Sequence, residues 1–433
     1  MSVKSRFFQL ALSEGALRLS RTDWRLRRAI AGKRALLRLY FSVDDPQSYL
    51  LLRMATMIPR AYDVDMAFCL LPHDASTPDH LTRMQRRWAT QDATEFAAAL
   101  GEAPLTPPPE RWLRGFETAL ASHWRLHGDF ERLAALCKTF YSGDEAAMNA
   151  AVSRLSAHDQ SHAVIQLRKN KARLAEDGHY ASGAICFDGE AYRGVERLRH
   201  LTNRLRVERL ATGDAATRQR LTTKLDAIER PETTGALAKH WHGKSATFFF
   251  SFRSPYSRLA IDRVSDLARV GRLSLDLKPV MPMVTRGVPL PEEKRRYLVT
   301  DAARVARRHG MTFGNITDPL GDGVRYAMAG FFAAKAAGKE LAFARAAMRA
   351  IWSEGRRLDG LKHIAPLLKP LGVSMPSVER LLDDPAIEVA LAENAQALEQ
   401  LGHWGVPVLA IDGHAVWGQD RLWQFATKKE PSS

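Results

Sequence analysis

The stretch "FFFSFRSPYSRLAIDR", Phe248 to Arg263, decides the fold of the second half of this chain. Its aromatic run predicts a buried strand, Ser254-Pro255 predicts a sharp turn, and the apolar periodicity that follows predicts a helix. A strand that turns directly into a helix places the turn at a helix N-terminus, where a thiolate is stabilised. The turn carries Ser254, Pro255, Tyr256 and Ser257, so it offers hydroxyl groups and no sulfur.

The elements around this turn are predicted in the order β-α-β, a helical insertion, then β-β-α. "RLSLDLKPV" predicts the second strand, and residues 291–400 have helical periodicity throughout. "VPVLAIDGHAVWG" predicts two strands joined by Asp412-Gly413, because Asp-Gly between alternating apolar runs is a strong hairpin signal. A last helix is expected from Gln419. This α/β order is that of thioredoxin with an all-α insertion.

The chain also repeats itself. The residues Ser251, Pro255 and Leu259 each lie 209 positions after an identical residue, namely Ser42, Pro46 and Leu50. Near the ends of the two halves the spacing becomes 224, as between His179 and His403, which places about fifteen additional residues inside the second half.

The repeat predicts two copies of one domain, at residues 37–205 and 245–427. A helical extension, 1–36, precedes the first copy, and a helical linker, 206–244, joins it to the second. The most favourable break in this linker is "RPETTG".

Composition indicates an ordinary globular protein, with 45% hydrophobic and 26% charged residues. No segment approaches the roughly 18 uninterrupted apolar residues of a membrane span, and the first residues mix charge into every turn, so neither a span nor a signal peptide is expected. Cys69, Cys137 and Cys186 show no metal or redox spacing. We therefore expect a reducing, cytoplasmic setting and no metal site.

The net charge of +15 is spread along predicted helices. Solvated helix faces are the favoured explanation, an anionic ligand is the next, and nucleic acid is disfavoured because no basic tail or aromatic RNA motif accompanies the charge.

Three blocks of the second half, "SPYSRLA", "IWSEG" and "WGVPVLAIDGHAVWGQDRL", resemble the 2-hydroxychromene-2-carboxylate isomerases and kappa-class glutathione transferases. These belong to the DsbA-like branch of the thioredoxin superfamily. The resemblance covers most of residues 247–425 and implies two DsbA-like domains. The first copy resembles the family only distantly, since Asp45 and Gly183 stand where Ser254 and Pro407 do, which implies that it is inactive.

The resemblance implies a glutathione-dependent isomerase or transferase that acts on an electrophilic, aromatic-derived small molecule. Ser254 would hydrogen-bond the glutathione sulfur. Pro407 corresponds to the family's cis-proline, and Val406 would pair with the cysteinyl part of glutathione. Gln419 and Asp420 would receive its γ-glutamyl end.

Each of these residues also has a purely structural explanation. Ser254 suits a helix N-cap, Pro407 suits an edge strand, and Asp420 suits the first turn of a helix as an acid that complements the dipole. Arg421 recurs in the first copy as Arg197, which favours a structural ion pair for it.

Tyr256, Lys278 and Asn315 are candidates for the substrate cleft. Kappa-class members carry an Asn-Lys-Pro stretch after the second strand, whereas the corresponding loop here, 283–296, has no asparagine. Lys278 and Arg286 could supply charge there, although solvated surface is favoured for both. A turn is the favoured interpretation of Asn315 and of the neighbouring Asp318.

The alternative function is a non-catalytic tandem thioredoxin-fold binding or scaffold protein, which the degenerate first copy supports. Dithiol-disulfide exchange is excluded from the turn because serine cannot form a disulfide. The expected partner is an electrophilic small molecule, and no association with a membrane is expected. Family members are commonly dimers, so the resemblance implies that the two copies pack as an internal pseudo-dimer, with a higher oligomer also open. Scattering from two separated domains would contradict this.

Overall fold

The computed structural model describes residues 9–73, 80–122, 130–228, 240–288 and 290–426. The chain divides into two compact units. The first unit is Arg21–Arg230, and the second unit is Pro231–Ser433 together with Met1–Ser20. Within the described parts, no helix combines the length and the apolar character needed to cross a membrane.

The helix α1 (Glu14–Ile30) precedes the first sheet. The elements that follow it in the first unit are β1 (Leu36–Phe41), α2 (Pro46–Ala55), α3 (Ile58–Ala61), β2 (Asp65–Leu70), α4 (His80–Ala99), α5 (Glu110–Ser122), α6 (Phe130–Phe140), α7 (Glu145–Ser153), α8 (Ala157–Glu176), β3 (Ala184–Phe187), β4 (Glu190–Arg193), α9 (Leu198–Val207) and α10 (Ala215–Ile228).

The second unit has the same succession of strands. Its elements are β5 (Ser245–Phe250), α11 (Pro255–Gly271), β6 (Ser274–Pro279), α12 (Glu292–Arg308), α13 (Asp322–Ala336), α14 (Glu340–Trp352), α15 (Leu361–Leu368), α16 (Met375–Leu381), α17 (Pro385–Gln400), β7 (Val408–Ile411) and β8 (His414–Trp417), followed by a 3₁₀ helix (Leu422–Ala426).

Both sheets have four strands in the same order. The first runs β2-β1-β3-β4 and the second β6-β5-β7-β8. In each, the two strands of the β-α-β unit are parallel and the C-terminal hairpin is antiparallel. The predicted α/β fold class is confirmed. The shared topology is what a duplicated domain would produce, and β5 begins at Ser245, 209 residues after β1 begins at Leu36.

Strand β5 is buried on both faces, which explains its aromatic run. Phe248 and Phe250 pack into the main core of the second unit with Phe331 and other side chains of the helical insertion. Phe249 points to the opposite face and packs with Leu398 of α17. The turn after β5 therefore emerges between two packed layers.

The domain boundaries differ from the predicted ones. The predicted linker contains α10, whose Leu221 and Leu225 are buried, and Arg218 of this helix donates to the carbonyl of Ala61. The helix is therefore a packed layer of the first unit, which extends to Arg230 rather than to residue 205. Sequence periodicity could not show this, because an amphipathic helix has the same pattern of apolar residues whether it packs on a domain or lies in a linker.

The other boundaries shift for similar reasons. The predicted extension, 1–36, belongs to the first unit from Arg21 onward, and Arg21 and Arg28 form ion pairs with Glu190 and Asp188. Trp241 precedes the predicted start of the second copy, yet it is buried in that core. The predicted break "RPETTG" lies outside the described residues.

Replacing Leu225 with Ala should lower the free energy of unfolding by about 2 to 5 kcal/mol, because it leaves a cavity under α10. Urea denaturation of the full chain measures this. The exposed Thr223→Ala on the same helix is the control and should change stability little. Equal, small effects of both changes would show that α10 is only a linker.

Candidate active site

The candidate site is built on the turn between β5 and α11. Ser254 has extended backbone angles and is the N-cap of α11, since its Oγ accepts a hydrogen bond from the Ser257 N–H at 3.1 Å. Its own N–H donates to the carbonyl of Ser251. The structural role that the sequence offered for Ser254 is therefore real. It leaves the hydroxyl proton free to serve a second acceptor.

The structure brings Val406 and Pro407 to this hydroxyl. The peptide bond between them is cis, and the Ser254 Oγ lies 3.5 Å from the carbonyl oxygen of Val406. This distance exceeds the usual range for a hydroxyl donor, so the hydrogen bond to the Val406 carbonyl is weak. Among the described residues, no acceptor is found for the Val406 N–H. The turn thus presents one hydroxyl donor beside an open backbone donor.

The last helix of the second unit differs from the prediction. Residues 419–420 form a turn, and the 3₁₀ helix Leu422–Ala426 begins after it. The carbonyl of Gln419 accepts a hydrogen bond from the Arg263 guanidinium. The expectation of an α-helix from Gln419 is therefore wrong for the described residues.

Gln419 and Asp420 are both engaged within the chain. The Gln419 Oε1 accepts from Arg263 at 2.8 Å, while its buried Nε2 has no hydrogen-bond partner among the described residues. Asp420 accepts from Arg421 at 2.6 Å, so Arg421 is in the ion pair that the sequence favoured for it. The glutathione roles of Gln419 and Asp420 stay predictions.

The contacts of the cleft candidates Tyr256 and Lys278 are with α12 and with the sheet. The Tyr256 hydroxyl donates to the fully buried Asp301 at 2.7 Å, and Asp301 also pairs with Arg304 of α12. Lys278 is partly exposed on the edge strand β6, opposite Phe249. Tyr256 therefore fixes the start of α11 against α12, and the cleft roles of Tyr256 and Lys278 stay predictions.

Asn315 and Asp318 lie on a segment without helix or strand between α12 and α13. Asp318 accepts from the Leu320 N–H at 3.1 Å, which confirms the predicted turn. It also forms two hydrogen bonds with Arg253, at 2.8 and 2.9 Å. Burial opposes ionisation of Asp318, yet the Arg253 guanidinium holds the pKa of this carboxyl below its ordinary value. Sequence reasoning missed Arg253, although its position immediately before Ser254 was a usable signal.

The block "IWSEG" anchors the turn from the helical insertion. The Trp352 Nε1 donates to the carbonyl of Phe252 at 3.0 Å, and its ring stacks on Phe313. The Ser353 hydroxyl donates to the carbonyl of Thr312 at 2.6 Å. The insertion therefore holds both the turn and the segment that carries Asp318.

Arg286 is not the solvated side chain that the sequence favoured. It lies in a 3₁₀ helix (Met283–Arg286) of the altered loop and donates to the carbonyl of Trp404 at 2.7 Å. Among the described residues its buried Nε has no partner. Burial lowers the pKa of Arg286. Arg286 is thus a half-buried cation that contacts the loop leading to Val406, and the Glu399 carboxylate acts on it electrostatically.

At the corresponding turn of the first unit, the capping carboxylate accepts hydrogen bonds from three nearby donors. The Asp45 carboxylate accepts from the Gln47 N–H, the Ser48 hydroxyl and the Ser182 hydroxyl, at 3.1, 2.7 and 2.9 Å. Gly183 stands where Pro407 does, and a Cβ there would lie 3.0 Å from Asp45. This turn keeps the cap and offers no hydroxyl donor at its first position.

The three cysteines lie in the first unit and are buried. Burial raises the pKa of Cys69 to about 11 and raises the pKa of Cys137 and Cys186 well above the ordinary thiol value. Within the described ranges, no three His, Cys, Asp or Glu side chains are grouped as metal ligands.

Residues 246–428 match the family model of the DSBA-like thioredoxin domain. This part of the chain is a DsbA-like thioredoxin domain. It is similar to a 2-hydroxychromene-2-carboxylate isomerase of Pseudomonas putida, with 28% identity over 41% of this chain and 90% of that protein. The predicted DsbA-like domain and the resemblance to 2-hydroxychromene-2-carboxylate isomerases are thereby confirmed for this part of the chain, whereas the duplication of the domain stays a prediction.

Two solved structures are also similar to the DsbA-like domain. One, an isomerase of the same name, is 26% identical, covers 42% of this chain and 93% of its own, and has a TM-score of 0.38. The other, the cytosolic disulfide reductase DsbM of Pseudomonas aeruginosa, is 20% identical, covers 40% and 87%, and has a TM-score of 0.33.

Replacing Trp352 with Phe should loosen the turn, because the carbonyl of Phe252 loses its buried donor at a cost of about 1 to 3 kcal/mol. Amide hydrogen exchange of Ser254 and Ser257 should become faster. Trp241→Phe is the matched control, since Trp241 also donates from a buried ring to a backbone carbonyl, that of Phe425 at 2.9 Å. Equal exchange rates of the turn amides in the two variants would show that Trp352 does not hold the turn.

Proposed function

We propose that the DsbA-like domain is a glutathione-dependent isomerase or transferase acting on an electrophilic, aromatic-derived small molecule. The observation that carries the proposal is the weakly held hydroxyl proton of Ser254 at the start of α11, beside the open N–H of Val406. The similarity to 2-hydroxychromene-2-carboxylate isomerases supports the isomerase form of the activity.

Ser254 suits a thiolate in two ways. Its hydroxyl can turn from the distant Val406 carbonyl to a charged acceptor, and a hydrogen bond to a charged group is roughly twice as strong as a neutral one. The N-terminus of the 17-residue helix α11 adds a partial positive charge at the same place. Both effects favour the thiolate over the thiol, which lowers the pKa of a bound thiol.

The residues of the domain fit glutathione as a cofactor. Val406 offers a backbone donor and acceptor to an extended peptide, as in strand addition. Arg286 offers a half-buried cation, and Gln419 offers a buried amide donor. When bound, glutathione supplies a thiolate whose reversible addition to a conjugated double bond allows rotation about that bond. The chain's own part is to hold that sulfur and to orient the electrophile.

We propose further that the chain is not a dithiol-disulfide oxidoreductase. The turn has serine at both sulfur positions, Ser254 and Ser257, and the cysteines are neutral and buried in the first unit. Raised thiol pKa values disfavour the thiolates that exchange requires. The expected result of an insulin-reduction assay with dithiothreitol is no acceleration over the uncatalysed rate, and acceleration would overturn this proposal.

The alternative of a non-catalytic tandem binding protein has one specific support, the self-satisfied Asp45 turn of the first unit. That unit would then serve binding or assembly, and its packing as an internal pseudo-dimer partner stays a proposal. The two functions differ at Ser254, because a scaffold needs only the cap.

A series at Ser254 separates the cap from the hydroxyl donor. Ser254→Asp keeps the cap, as Asp45 does in the first unit, but removes the donor and adds a negative charge. Ser254→Thr keeps both. We expect Ser254→Asp and Ser254→Ala to lower kcat/KM of the glutathione-dependent reaction by about ten- to hundredfold. Ser254→Thr should retain most of it. Spectrophotometric titration of the bound thiol should show its pKa raised in Asp and Ala.

Calorimetry with glutathione provides the direct test. Wild type and Ser254→Thr should bind it more tightly at a pH where the thiol is ionised than below it. No binding by wild type, or equal thiol pKa values across the series, would contradict the proposal and leave the binding protein as the better explanation.

A further inference from the structure

The first unit contains a histidine whose ring is held by a carboxylate. The backbone N–H of His73 donates to Oε2 of Glu117 on α5 at 2.7 Å, and the ring Nδ1 lies 2.7 Å from the same oxygen. The side chains of the pair are 8% and 13% exposed. An ionised carboxylate only accepts hydrogen bonds, so Nδ1 carries a proton. The ring nitrogen Nε2 is therefore the one that remains for another group.

Nε2 of His73 has no hydrogen-bond partner within the described part of the chain. An unpartnered polar atom on a side chain that is more than nine-tenths covered costs free energy. The hydrogen bond from Glu117 is the largest cause of the raised pKa of His73, so the doubly protonated ring persists to higher pH. In that form Nε2 is a donor, and the partner that it lacks is an acceptor.

His73 lies at the edge of the first sheet where the parallel strands end. It follows the end of β2 by three residues, and Asp44 follows the end of β1 by three. The last residues of these strands, Phe41 and Leu70, are partners in the register. The charge of Asp44 contributes to the raised pKa of His73, which agrees with their placement side by side. The carboxyl ends of parallel strands are where α/β sheets bind ligands.

The carboxylates around the ring have partners of their own. Asp44 accepts from the Ser42 hydroxyl, and its Oδ2 lies 3.6 Å from Nη2 of Arg86 on α4. Arg86 also pairs with Glu110, whose side chain is 71% exposed. Glu117 is paired with His73 itself. Neither carboxylate next to the ring is thus an uncompensated negative charge.

Arg114 adds positive charge beside this pair. It precedes Glu117 by three residues on α5, so the two side chains are neighbours on one face of the helix. Its charge acts on His73, and the residue is exposed. Among the residues that the structure describes, none forms an ion pair with Arg114. An imidazole donor and an unpaired guanidinium therefore lie next to each other.

The second unit has no counterpart of this pair. Pro282 stands 209 residues after His73, where it offers neither charge nor hydrogen-bond donor. The arrangement thus belongs to the unit whose turn has no hydroxyl donor at Asp45.

We propose that His73 and Arg114 bind a small tetrahedral oxyanion, a phosphate or sulfate group, at this edge of the first sheet. One donor follows β2 and the other lies on α5, which suits an anion with oxygen atoms on several sides. Charge-assisted hydrogen bonds from imidazolium and guanidinium groups are the ordinary means of holding such an anion. This inference is independent of the proposed function of the DsbA-like domain and gives the first unit a ligand of its own.

The test titrates the full chain with sulfate, whose charge is constant near neutral pH, at fixed ionic strength. NMR signals of the His73 ring and of the Glu117 amide report on the site. Wild type should show saturable shifts that weaken as the pH rises through the pKa of His73, because Nε2 then loses the proton that it donates. His73→Gln and Arg114→Gln should each lower the affinity by about tenfold or more, since each removes a charge-assisted hydrogen bond.

Arg111→Gln is the matched control, because Arg111 lies on the same helix, is 65% exposed and is already paired with Glu145. It should leave the affinity for sulfate unchanged. Glu117→Gln should lower the pKa of His73 and so move the loss of binding to lower pH. Circular dichroism verifies the fold of each variant, and the exposed Arg114 keeps the test decisive if His73→Gln fails to fold.

Two further probes distinguish the sources of the anion. Phenyl phosphate that binds more tightly than inorganic phosphate would assign the site to the phosphoryl group of a larger ligand, and equal affinities would assign it to a free anion. The inference is overturned if wild type shows no saturable shift. An equal loss of affinity in Arg111→Gln and Arg114→Gln also overturns it, since general surface charge then explains the binding.

Discussion

Burial of strand β5 on both faces is the constraint from which the candidate site follows. Phe248 and Phe250 face the helical insertion while Phe249 faces α17, so the strand cannot slide or rotate without exposing an aromatic ring. Its C-terminal end is therefore fixed, and the Ser254 turn with it. Trp352 then ties the backbone of this turn to the insertion. The Ser254 hydroxyl lies on a turn but is positioned as precisely as a core residue.

Much of this could be predicted from sequence because the signals were local. The strand before Ser254, the helix after Pro255 and the hairpin at Asp412-Gly413 each follow from periodicity and turn chemistry, and all are present. What escaped prediction depends on distant partners. No local sequence pattern indicates that α10 packs on the first unit. None near Gln419 indicates that Arg263 donates a hydrogen bond to its carbonyl. Arg286 and Arg253 were misjudged or missed for the same reason.

The two turns show how one change of functional group alters a site while the fold persists. Serine and aspartate both cap the helix, so either residue satisfies the backbone. Only serine can cap the helix and still donate a hydrogen bond, through its hydroxyl proton, to another group. The carboxylate of Asp45 instead collects the hydroxyls of Ser48 and Ser182, which closes the turn on itself. The similarity of the DsbA-like domain to isomerases thus concerns the unit whose capping residue has a hydroxyl proton to donate.

The hydrogen bond from Trp352 to Phe252 has a consequence for how the candidate site loses its structure. It makes the helical insertion a structural support of the turn, so the site and the insertion open together rather than in sequence. A partial opening of the insertion, far short of global unfolding, would then already disorder the Ser254 hydroxyl. The geometry of the Ser254 turn would then depend on the integrity of the helices of the insertion.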